Sequence, residues 1–77
     1  MTTDAGHRPG IYLLARKRGG SSWEALRACN DILAAADLAI TLSEAEPRAV
    51  YRVLADGVRT VLLATAGRGH WVRIARD

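Results

Sequence analysis

Two groups of residues in this sequence have the types and spacing to do chemistry. In both, that chemistry is the holding of anions. The first is Arg16-Lys17-Arg18-Gly19-Gly20-Ser21-Ser22, a basic run followed by paired glycines and two hydroxyls. Cations and free backbone N–H groups at a strand-to-helix turn are a common means of holding phosphate. The spacing is not GxxxxGK[ST], because Lys17 precedes the glycines, and a bare GG is not GxGxxG. Glu24 also sets a negative charge where the helix dipole would otherwise attract an anion. The run therefore reads first as a strand break and helix start, with an anion patch from Arg16, Lys17, Arg18, Arg68 and His70 as the functional alternative. The second group is Arg48, Arg52, Trp71 and Arg73. An aromatic ring among guanidiniums suits base stacking with phosphate contacts. It also suits a protein interface, where Trp and Arg are enriched at the energetic centre. The bland reading of Trp71 is packing on Leu62 and Ala64 of its own sheet.

Residues for other chemistry are sparse. His7 and His70 stand alone, Cys29 is the single cysteine, and no HxxxH, CxxC or HExxH spacing occurs. A metal site, a cofactor and an enzymatic activity are therefore not expected. With no cysteine framework, a reducing, cytoplasmic setting is expected. No run approaches the roughly 20 apolar residues that span a bilayer.

The elements that must position these groups are small. With 77 residues the chain has room for one domain. Hydrophobic residues make up 49% and charged residues 25%, which fits a folded domain. Phe is absent and aromatics are 5%, so Leu, Val, Ile and Ala must build the core. The formal charge is +3, from 11 basic and 8 acidic residues, too mild to imply nucleic acid by itself. Its distribution is uneven. Between Arg27 and Arg48 lie only acids, whereas the stretch from Arg48 to Arg76 holds six Arg and the single acid Asp56.

Residues 1–9 are expected to be a flexible arm ending at Pro9-Gly10, and residues 10–77 a single α+β domain. Ile11 to Ala15 reads as a strand. Ser21 and Glu24 have capping-box spacing and predict a helix to about Asp37, with Ala25, Leu26, Cys29, Ile32, Leu33 and Ala36 on its apolar stripe. In that helix Trp23 is a lid on the core. Leu38 to Leu42 reads as a short second strand. Residues 43–57 admit a helix capped by Ser43 and Glu46, or a strand over 48–54, and the β-favouring Val50-Tyr51-Arg52-Val53 favours the strand.

A hairpin through Ala55-Asp56-Gly57 would set Tyr51 opposite Val61. One sheet face would then be apolar, and the other would carry Arg48, Arg52, Leu62, Trp71 and Arg73. The predicted architecture is one helix on a mostly antiparallel sheet of four or five strands, in the order β-α-(β)-β-β-β, with β-α-α-β-β as the alternative. A parallel second strand would bring the 16–22 and 66–70 turns to one end of the sheet, where Glu44 and Glu46 could neutralise the patch.

The expected function is a small non-catalytic binding protein that docks on a larger protein or nucleoprotein and acts sterically. Small phage and plasmid inhibitors of bacterial defence complexes share this size and lack of catalytic residues, which is an analogy only. A nucleic-acid-binding module using the Arg/Trp face, and a homo-oligomeric subunit such as a homodimer, are the alternatives. No membrane association is expected.

Overall fold

The computed structural model describes residues 11–56 and 59–72. The expected arm over residues 1–9, the turn residue Gly57 and the candidate Arg73 lie outside the described residues. The strands are β1 (Tyr12–Arg18), β2 (Glu24–Cys29), β3 (Ala49–Ala55), β4 (Arg59–Thr65) and β5 (Arg68–Trp71), with one helix, α1 (Ile32–Ala45), between β2 and β3. The five strands form one antiparallel sheet in the order β2-β1-β3-β4-β5. The fold is α+β, one helix on an antiparallel sheet, and residues 49–55 are a strand.

The first half of the chain differs from its sequence-based reading. Residues 24–29 form a strand, not a helix. Gly19, at φ 52°, turns the chain back on itself, and the Ser21 amide donates to the Arg18 carbonyl at 3.0 Å. The Ser21 hydroxyl donates to that same carbonyl, so it closes a hairpin instead of capping a helix. Glu24 reaches across to Arg16, with Arg16 Nη2 at 2.9 Å from Glu24 Oε1. Pairing with β1 overrides the helix propensity of Ala25 and Ala28, which is a weak prior. A bulge opposite Leu14/Ala15 lets Leu26 pack on the core.

The helix instead starts at Asp31, whose carboxylate accepts from the Leu33 amide at 3.4 Å. It continues through Leu38–Leu42, so the expected second strand and its parallel crossover do not form. A short apolar run does not by itself separate helix from strand. Here Ala35, Ala36, Ala39 and Ser43 are the buried positions, at helical spacing. Ser43 and Glu46, the other capping pair, lie at the opposite end of this helix: Ser43 is buried within it and Glu46 is its C-cap.

The core lies between α1 and one face of the sheet. Ala35, Ala36 and Ala39 meet Leu14, Tyr51, Val53, Leu62, Ala49 and Ala64. Small residues let the helix sit close. At Gly69 an added Cβ would come within 2.7 Å of Ile40 Cδ1. The turn between β4 and β5 is a two-residue loop, Ala66-Gly67, both at positive φ (49° and 79°), as the twist of a tight hairpin demands. Ser43 holds this turn to α1: its hydroxyl accepts from the Gly67 amide at 2.7 Å and donates to the Ile40 carbonyl at 2.8 Å.

Candidate binding face

Side chains of directly paired residues project to the same side of a sheet. On the side away from α1, the registers line up two rows. One runs Lys17, Val50, Thr65, Arg68, and the next runs Ala15, Arg52, Leu63, His70. Leu13 and Leu54 pair beyond them. No described helix or strand packs over this side. Leu63, Thr65, Arg68 and His70 are exposed, Lys17, Val50 and Arg52 are half-buried, and Ala15 and Leu54 are buried.

The loop after the Gly19-Gly20 turn contributes one more group. Arg52 Cζ sits 4.0 Å from the centroid of the Trp23 ring. This is cation–π distance. Arg52 Nε is buried and has no hydrogen-bond partner among the described residues.

Charge is sorted between the two sides. Among the described residues, no sheet position on this face holds Asp or Glu, and Lys17, Arg52 and Arg68 make no ion pair. The alternation of β1 explains much of this. Lys17 faces out, while Arg16 and Arg18 turn to the helix side. There Arg18 binds Glu46 through both Nε and Nη2, the latter at 3.0 Å from Oε1. Arg16 Nη1 lies 3.6 Å from Glu46 Oε1, and the Tyr51 hydroxyl donates to that oxygen at 3.4 Å. The Arg18 hydrogen bond holds the Glu46 carboxyl below its ordinary range, and Glu46 in turn raises the Arg18 guanidinium. Arg16 is raised chiefly by Glu24. These three charges are satisfied locally.

The sequence-based groups are therefore redistributed. The 16–22 and 66–67 turns do lie at one end of the sheet, but Arg18 does not converge with Arg68 and His70, because Arg18 is on the other side and clamped by Glu46. Lys17, Arg68 and His70 do share a face. The expected face of Arg48, Arg52, Trp71 and Arg73 is split. Tyr51 pairs with Ala64, not Val61, an odd displacement that turns β4 over. Leu62 and Trp71 thereby move to the helix side, Trp71 remaining 57% exposed at the edge, and Arg52 stays on the other. Arg48 sits in the turn before β3.

Sequence reasoning missed Trp23 as a surface group, because it placed the ring in a helical turn. It also missed that Lys17 alone of the basic run faces the open side. The signal for that was the period-two alternation of a strand running to Arg18. Elsewhere, an open groove of about 620 Å³ between β2 and α1 is lined by Arg27, Cys29, Asn30, Asp37, Leu38 and Thr41, among others. Among the described residues no cluster of His, Cys, Asp and Glu could hold a metal ion. No described helix is long and apolar enough to cross a membrane. Comparison with protein-family models, with curated proteins and with solved structures finds no match to this chain.

Proposed function

We propose that this is a small non-catalytic binding protein that docks on a larger protein or nucleoprotein through the open face of its sheet. It acts sterically, by occupying a surface and so inhibiting whatever else would contact it. The observation that carries this reading is the composition of that face. Aliphatic Val50 and Leu63 stand among Lys17, Arg52, Arg68 and Trp23, with no carboxylate among them. Apolar area gives affinity, and uncompensated positive charge selects an acidic surface and speeds encounter. The reading places the protein in the cytoplasm, where Cys29 stays a thiol.

Site-specific photo-crosslinking in producing cells tests it. A photoreactive residue at Leu63 is expected to give a discrete higher-mass adduct, and one at Thr41, exposed on α1, is not. Equal adducts from both positions, or none from Leu63, would overturn the reading.

A further inference from the structure

We infer that what this face touches directly is single-stranded nucleic acid, laid across the strands of the sheet. The inference rests on the reading of that face as the working surface and names the chemistry of the partner. Three features favour a polynucleotide over an acidic protein.

The first is the one-sidedness of the charge. Protein interfaces set both signs against each other and are depleted in Lys, whereas nucleic-acid interfaces are more polar and much more positive. Here Lys17, Arg52 and Arg68 face out without an acid among the described positions of the face, while the Glu24 and Glu46 carboxylates are engaged on the helix side.

The second is the layout. Neighbouring strands are about 4.8 Å apart, and alternate residues along a strand about 7 Å. Lys17 and Arg68, three strand steps apart, thus span about 14 Å of the outer row, with the Thr65 hydroxyl between them. Arg52 and His70 stand in the next row, on the same side. A backbone crossing the strands meets cations along its path, and hydroxyls and guanidiniums are the usual phosphate donors.

The third is the presence of planar groups. The Arg52 guanidinium is already parked on Trp23, and His70 is exposed in the same row. Planar side chains on a sheet face are what unstacked bases stack on, without regard to sequence. A duplex keeps its base faces stacked inside, so these groups would find nothing to stack on.

The test is fluorescence anisotropy of a labelled oligothymidylate, titrated with the full chain from about 50 to about 200 mM salt. Three phosphate contacts to single-stranded nucleic acid predict a log–log salt slope of about −2, or about sixteenfold weaker binding over that range. Lys17→Ala combined with Arg68→Ala is expected to weaken binding and cut the slope to about −0.7, the value for one contact. Arg27→Ala combined with Arg59→Ala removes the same charge elsewhere and is expected to leave the slope unchanged. Circular dichroism verifies that both double variants stay folded. Equal losses from the two double variants would mean attraction by net charge alone and would overturn the inference. Tighter binding to a duplex of the same length would also overturn it. No binding at low salt would end it too. In that event, persistent Leu63 adducts would leave the docking face standing with a protein partner, and their absence would remove both.

Discussion

On β4, Leu62 is 1% exposed and its neighbour Leu63 is 37% exposed. The same residue type thus serves two unlike surfaces. On the helix side, Leu62 and Val53 pack under the alanines of α1, Tyr51 reaches Glu46, and Arg16 and Arg18 are tied to carboxylates, while Trp71 stays exposed at the edge. On the other side, cations stand without acids among the described residues, and the Trp23 ring is covered by the Arg52 guanidinium. The helix side carries the packing that holds the fold, and no described helix or strand covers the other side. A protein this small has little apolar area for holding itself together, so a sheet face that no described helix or strand covers is a substantial concession.

Substitutions that treat the two sides alike should give opposite results. The largest effect is expected from Leu62→Ala, which leaves a cavity under α1 and should cost about 2–5 kcal/mol in urea unfolding. Leu63→Ala should stay within about 0.5 kcal/mol, as exposed positions do. Comparable losses at the two positions would mean that the open side is also a packed core. Next comes Gly69→Val. A branched side chain favours strands in general, yet here its Cβ would meet Ile40 of α1 at 2.7 Å. It is expected to destabilise by about 1–3 kcal/mol, and a stabilising Val would show that α1 does not press on β5.

The smallest effect concerns pH. Glu46 titrates below its ordinary range when folded, chiefly through Arg18. A depressed carboxylate pKa contributes stability that is present above the unfolded pKa and lost as pH falls through the folded one. Glu46→Gln should therefore flatten the acid limb of the stability profile and leave the neutral-to-basic limb parallel to that of the unaltered chain. Unchanged acid limbs would mean that this exposed clamp is fully screened by solvent.

The C-terminal half of the fold was legible in part, because β-branched residues and turn glycines agree there, at Val50 to Val53 and at Gly67; Arg68, Gly69 and His70, expected in the turn, belong to β5 because the turn is only two residues long. The N-terminal half was not, because Ala25, Leu26, Ala28 and Cys29 satisfy helical spacing as well as a bulged edge strand, and the decision falls to the Gly19-Gly20 turn and the pairing with β1. The alternation of β3 correctly set Arg52 apart from Tyr51 and Val53. Its partner strand was misread because a bulge near Val53/Leu54 and the true hairpin register moved β4 by an odd step. That step is invisible to composition and reverses every side chain beyond it. The basic run at 16–18 could not be divided correctly while residues 24–29 were read as a helix.

The bond from the Gly67 amide to the buried Ser43 hydroxyl also bears on how the molecule comes apart. An edge hairpin is ordinarily the first part of a sheet to open by itself, exchanging its turn amides freely with solvent. Here, peeling β4–β5 away would break the bond to the Ser43 hydroxyl, which is fully buried under the hairpin and also held to the Ile40 carbonyl. The edge hairpin is thereby tied to α1, and the Gly67 amide is expected to exchange with solvent only when the two part.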